Sequence, residues 1–264
     1  MRIADNAKSN AIQYEFPLNE RIRRFLRLEF LFVQTEYYLE GQSQWESRAV
    51  LLHLIEILES LSRSDIKGEL MAELERHHSQ FERYKDRPEV NQQQLEHLLG
   101  NLRHLIEELC NYPGQLGQSL REMEFINSIR QRVAIPGGTC TFDLPAFHAW
   151  LQQPHEPRQL MLQQWYDELA LPARAIQTIL QMIRETGIRS QEAAYAGVFE
   201  RNLDPERPFQ LVKITLPPNS TSFPEISAGR HRITIRFLEQ PDFRQRPVLC
   251  AQDINFRLAL CGAA

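Results

Sequence analysis

The chain lacks any apolar run approaching the roughly 20 residues a membrane-spanning helix needs; its apolar runs are only a few residues long. Cysteine is scarce. Cys110, Cys140, Cys250 and Cys261 include no CxxC pair, which excludes a disulfide framework and a zinc ribbon. The first residues, MRIADNAKSN, hold no apolar stretch of the kind a secretory leader requires. Cytoplasmic residence with free thiols is therefore expected. Lysine is rarer still in proportion: of 30 Lys+Arg, only Lys8, Lys67, Lys85 and Lys213 are lysine. The formal net charge of −4 excludes the cationic excess of a dedicated nucleic-acid binder. It leaves room for a local basic patch.

Catalytic signatures are missing as well. There is no G-x-S-x-G, no P-loop, no G-x-G-x-x-G and no H-E-x-x-H, so the motif-borne hydrolase, nucleotide and zinc chemistries have no foothold. Cys140 and His148 could in principle form a thiolate–imidazole pair. The plainer reading is a small core cysteine and a helix-surface histidine. His77 and His78 are adjacent and point to different helix faces. His97 and His104 stand about two helical turns apart, too far to share one ion without another ligand. Nothing in these residues supports an enzyme or a metal site.

What is present divides by periodicity. With 264 residues the chain has the length for one large domain or two small ones. From about Leu18 to Thr186 apolar residues recur at helical spacing; from about Gln191 onward they alternate as in strands. Asn19 is a good N-cap for a first helix whose stripe is Ile22, Leu26, Phe30, Val33 and Tyr37, ended by Gly41. A second helix covers about Gln44 to Leu61. Ser64 is expected to cap a third, carrying Ile66, Leu70, Leu74 and His77, and Asn91 a fourth. A fifth spans about Leu116 to Val133, Asp143 caps a short one through Trp150, and two more cover about Pro157–Glu168 and Pro172–Thr186. Pro136-Gly137-Gly138 signals a turn, and Thr139 to Phe142 read as one short strand. Further strands are read at Phe209–Leu216, Arg232–Leu238 and Ile254–Leu260, with a weaker one around Ala194–Glu200.

The fold class is therefore α+β: a mostly α-helical domain (18–135 and 144–188) and a smaller antiparallel β-domain built from discontinuous segments (11–17, 136–143 and 189–264). Residues 1–10 are read as a disordered extension.

Arginine placement is the informative feature. In Arg230-His231-Arg232-Ile233-Thr234-Ile235-Arg236-Phe237, strand alternation puts Ile233, Ile235 and Phe237 on the core side. Arg230, Arg232, Thr234 and Arg236 then share the other face, about 6.6 Å apart. Such a row is costly unless solvated or matched by carboxylates. A solvated, charge-protected edge strand is the plain alternative. Arg21, Arg23, Arg24 and Arg27 form a second cluster, with Glu20 in reach of Arg23 or Arg24. Arg130 and Arg132 make a third. A basic face on an acidic protein suits an anionic partner. A nucleic-acid-binding module using the same face is the alternative, disfavoured by the acidic total and the lack of interleaved aromatics.

Three segments, FPLNERIRRFLRLEFL (16–31), IRQRVAIPGGTCTFDLPAFHAWL (129–151) and GRHRITIRF (229–237), resemble the ZapD family of bacterial division proteins. The likeness runs in order from about Tyr14 to Leu260. It implies a helical dimerisation domain and a partner-binding β-domain. It implies a cytoplasmic homodimer, recruited to the midcell division ring, that binds the C-terminal tail of the tubulin-like GTPase FtsZ and crosslinks its filaments. No enzymatic activity, cofactor, metal, small-molecule substrate, nucleic acid or membrane is implied. The basic positions carried over by motif are Arg27, Arg63, Arg130, Arg132, His148, Arg230, Arg232 and Arg236, with Arg63 the looser match. Where relatives can carry a cation shortly before RQR, this chain has Glu124. The expected mechanism is a basic groove formed by Arg27 with Arg230, Arg232 and Arg236.

Overall fold

The computed structural model describes residues 11–63, 65–204, 206–229 and 231–262. The expected extension at residues 1–10, the proposed cap Ser64 and Arg230 lie outside the described residues. The fold is α+β. Two compact units are present: residues 24–179, which are helical, and residues 11–23 with 180–262, which contain the strands.

The helical unit is built around α2 (Gln44–Ser62), whose N-terminus is closed by a capping box. The Ser43 hydroxyl accepts from the Glu46 N–H and the Glu46 carboxylate accepts from the Ser43 N–H. Its apolar residues are so numerous that eight positions are buried. α3 (Ile66–Glu82) and α4 (Gln92–Asn111) form an antiparallel pair. Asp65 caps α3 by accepting from the Gly68 N–H at 3.0 Å, and Asn91 caps α4. The expected fifth helix is two, α5 (Gln118–Glu122) and α6 (Glu124–Val133), because Met123 takes an extended conformation between them. α7 (Pro145–Leu151) and α8 (His155–Asp167) follow. α7 is capped at Leu144, not at Asp143, whose carboxylate accepts from the Cys140 thiol instead. Phe125, Phe147, Trp150 and Trp165 form one aromatic cluster between α6, α7 and α8.

α1 (Glu20–Leu39) starts at Asn19, whose side chain accepts from the Ile22 N–H. Its buried stripe is Ile22, Phe25, Leu28, Phe32 and Leu39. This corrects the expected stripe: Phe30, Val33 and Tyr37 are exposed, at 61%, 39% and 73%. The helix is apolar on two sides, and periodicity alone could not say which side the core takes. The unit boundary falls within α1 and within α9 (Ala170–Glu185).

A buried arginine ties this unit together. Arg158 donates to Ser47 Oγ at 3.2 Å and to the carbonyls of Leu151 at 3.3 Å and Gln42 at 2.9 Å, and also to the Gln153 carbonyl. Buried charge is tolerated when its donors are all directed at acceptors.

The strands are β1 (Ile12–Pro17), β2 (Ile188–Ala194), β3 (Val198–Asn202), β4 (Leu211–Leu216), β5 (Ser222–Ala228), β6 (Arg232–Glu239), β7 (Val248–Leu249) and β8 (Ile254–Cys261). One sheet runs β1-β4-β8-β2; the other runs β3-β6-β5, with β7 also on β6. All pairings are antiparallel. Val212, Ile214, Phe256, Leu258 and Leu260 of the first sheet share one core with Ile233, Ile235 and Phe237 of the second. The chain passes from sheet to sheet through Ala196-Gly197, both at positive φ, a tight-turn geometry.

Residues 139–142, expected as a strand within the β-domain, lie in the helical unit and form turns. Successive short-range bonds, Gly138 N–H to the Ile135 carbonyl and Cys140 N–H to the Gly137 carbonyl, both 2.9 Å, curl the backbone before it can extend.

His77 gives this unit a pH sensitivity. Its ring is buried beside Glu73 and accepts from Arg76 at 3.0 Å. Burial first, then the Arg76 charge, lower its pKa from 6.5 to about 4. The unfolded chain protonates near 6.5, so this contribution to stability is full above that pH and falls as pH drops towards about 4. A His77→Phe variant should flatten the stability–pH slope in that window, measured by urea unfolding across it.

Candidate functional site

In the helical unit the residues come together around the loop from 134 to 144. Two glycines shape it for different reasons. Gly137 has φ +72, which favours glycine. A Cβ on Gly138 would stand 2.4 Å from the Arg132 carbonyl oxygen, a backbone atom with little freedom to move. Arg48 donates to Thr139 Oγ1 at 2.6 Å, and Arg132 approaches Asp143 at 3.8 Å. Phe147 and Trp150 anchor α7 in the aromatic cluster, which leaves His148 on its exposed face. Arg130 donates to Asn127 Oδ1 at 2.8 Å. Arg130 and Arg132 thus sit on the last turn of α6, and His148 on α7, the helix into which the loop leads. Basic residues in the last turn of α6 also suit the negative end of its dipole. Ile135 and Phe142 stand exposed beside them, Phe142 at 84%. Cys140 bonds to Asp143, not to an imidazole.

The other two positions of this unit stand apart from that loop in the sequence. Arg27 is exposed on α1 and has no side-chain partner among the described residues. Its neighbours in the cationic cluster are matched: Arg24 pairs with Glu69, and Arg23 with Glu20 at 3.1 Å. Arg63, at the end of α2, pairs with Glu59 at 3.2 Å.

In the second sheet Arg232 and Arg236 face outward, as alternation requires, with Ile233, Ile235 and Phe237 fully buried. The row is not bare. Glu225 lies directly opposite Arg236 and bonds it at 3.2 Å. Glu200 lies opposite Thr234 and bonds Arg232 diagonally. Nor is β6 an edge, since β3 and β5 flank it. The register supplies the matching carboxylates, from 32 and 11 residues away, and the flanking strands set aside the alternative of a solvated edge strand.

Three cations of the first sheet, Arg189, Lys213 and Arg257, are not legible as a group in the sequence. They are on three different strands, so no local run announced them; only the pairing assembles them. No three His, Cys, Asp or Glu side chains converge as a metal set among the described residues.

These features define a two-unit α+β protein with cationic surface in both units. A family model described as "ZapD: Cell division protein" matches residues 26–236. A cell division protein ZapD of Methylococcus capsulatus is 39% identical over 252 residues, covering 96% of this chain and 98% of its own. Its counterparts in Nitrosomonas eutropha and Chromobacterium violaceum are 37% and 35% identical, each covering 95% of this chain and 99% of its own. The chain belongs to the ZapD family of cell division proteins.

Both matched pairs on the second sheet are about half exposed, where an ion pair contributes roughly 0–1 kcal/mol. Replacing Glu200 and Glu225 together by Gln should therefore shift the unfolding free energy by no more than about 2 kcal/mol, about 1 for each pair, read from urea denaturation.

Proposed function

We propose that this protein is a non-enzymatic division factor that binds the C-terminal tail of FtsZ. It works as a homodimer, crosslinking and bundling FtsZ filaments at the midcell ring in the cytoplasm. Membership of the ZapD family, over nearly the whole chain, is the observation that carries this reading. The contact residues proposed are Arg27, Arg63, Arg130, Arg132, His148, Arg230, Arg232 and Arg236. Of these, Arg27, Arg63, Arg132, His148, Arg232 and Arg236 are exposed, as a docking role needs.

The chemistry is carboxylate recognition by guanidinium, whose planar fork pairs with two oxygens at once. In the helical unit the tail meets a fixed loop with basic and apolar groups side by side. On the second sheet it has to exchange with Glu200 and Glu225, so the net gain there is small. Each exposed contact is worth about 1 kcal/mol or less. Single-site affinity is then modest, and bundling depends on two sites per dimer meeting many tails along a filament. The helical unit supplies the dimer contact, and the exposed Phe30, Val33 and Tyr37 face of α1 is the apolar surface available for it. A nucleic-acid role for the β6 face is weakened by its matched charges.

Co-sedimentation with GTP-assembled FtsZ at two ionic strengths tests the reading. Wild type should bundle filaments and lose that activity steeply as salt rises. Arg130→Glu/Arg132→Glu should abolish pelleting while the protein stays dimeric by light scattering. The Glu200→Gln/Glu225→Gln variant, with its arginines released, should pellet more strongly. Pelleting unchanged by all of these would overturn the proposal. Separately, Tyr37→Glu should give a monomer that still binds FtsZ but no longer bundles it; an unaltered dimer would remove α1 from the interface.

A further inference from the structure

The outer face of the first sheet is charged in a different way. Alternation turns Val212, Ile214, Leu258 and Leu260 into the core and leaves the residues between them facing out. Register sets these in rows. Ala259 of β8 lies between Lys213 of β4 and Arg189 of β2. In the next row Arg257 lies between Thr215 and Gln191. Because Ala259 has only a methyl group, the centre of the face is low and the cations stand around it. A groove of about 480 Å³ opens there, lined by Arg184, Arg189, Lys213 and Arg257 and, among the described residues, by no carboxylate.

The nearest acid is already engaged. Glu15 stands opposite Lys213 in register, but its two oxygens accept from Arg184 at 2.8 Å each. Among the described residues no ion pair or side-chain hydrogen bond holds Arg189, Lys213 or Arg257. Their combined field reaches the buried Cys261. Burial and Glu15 raise that thiol to about 11, while Lys213, Arg189 and Arg184 act in the opposite direction.

We infer that this groove docks an extended acidic peptide segment of a partner protein, with carboxylates at alternating positions. Arg257 is diagonal to both Lys213 and Arg189, and such diagonal neighbours stand about 7–8 Å apart. An extended chain repeats same-side residues at about 6.6 Å, so glutamates two residues apart reach successive cations. Gln13, Gln191, Asn255 and Thr215 line the same groove and offer hydrogen bonds to a peptide backbone. The lining's one aromatic residue, Phe256, is buried, so no ring is offered for base stacking. The chain's own first ten residues have the wrong sign, with Arg2 and Lys8 against Asp5. None of the groove cations is among the positions assigned to FtsZ above, and the inference does not rest on that assignment.

The test uses the full chain and a fluorescein-labelled peptide of alternating Glu and Ser, followed by anisotropy at low ionic strength. Binding is expected, falling steeply with added salt. Arg189→Ala/Lys213→Ala/Arg257→Ala should weaken it by about tenfold or more, and Arg232→Ala/Arg236→Ala by less than about twofold. Amide shifts in the wild-type protein on titration should centre on 189–191, 213–215 and 257–259, which keeps the test independent of how the variant folds. No binding, shifts centred elsewhere, or a random duplex DNA that displaces the peptide at lower concentration than unlabelled peptide does would each overturn the inference.

Discussion

Strand register is the constraint on which the β-unit depends. Because side chains alternate along a strand, a slip of one residue would turn every inward side chain outward. The pairing of Ile12–Pro17 with Leu211–Leu216 joins the start of the described chain to its last third in one sheet. The other sheet is set by the pairing of β6 with both neighbours, all three strands lying within residues 198–239. These registers bury Ile233, Ile235 and Phe237. They also decide, with no further freedom, which carboxylate stands beside which arginine. Glu225 meets Arg236 for the same reason that Ile226 meets Ile235.

The helical unit fixes its cations by other means. There the rigid element is a loop, held by a left-handed glycine, a second glycine with no room for a Cβ, and the Arg48 contact to Thr139. The aromatic cluster beneath α7 removes its remaining freedom to rotate. Side chains on such a platform lose little backbone entropy on binding, because the backbone is already ordered.

Much of this was legible in the sequence where the signal was local. Helices with a strong cap or stripe were readable, as were strands with clear alternation such as Ile254 to Leu260. The outward orientation of Arg232 and Arg236 followed from Ile233, Ile235 and Phe237 alone. Local signals failed where the answer lay elsewhere in the chain. Thr139 to Phe142 have strand-like residues, but no partner strand reaches them and the glycines before them curl the backbone. The α1 stripe of Phe30, Val33 and Tyr37 is exposed because that helix is apolar on two faces and spacing does not choose between them. Ser222–Ala228, interrupted by Pro224, gives little strand signal and exists because β6 pairs with it. Arg189, Lys213 and Arg257 were invisible as a group, since each sits alone in its own segment.

The two sheets show why counting cations along a sequence says little about affinity. The β6 row is conspicuous in the sequence and nearly neutral in the fold, since each described arginine has a carboxylate at hand. Any anion arriving there exchanges one exposed ion pair for another, and the difference between two weak interactions is weaker still. The first sheet is inconspicuous in the sequence, yet three of its cations repel one another, and among the described residues the one carboxylate that faces them in register, Glu15, is bonded to Arg184. An anion seated among them relieves that repulsion as well as gaining its own contacts. Unmatched charge, not abundant charge, is what leaves a folded surface with a free-energy reason to bind.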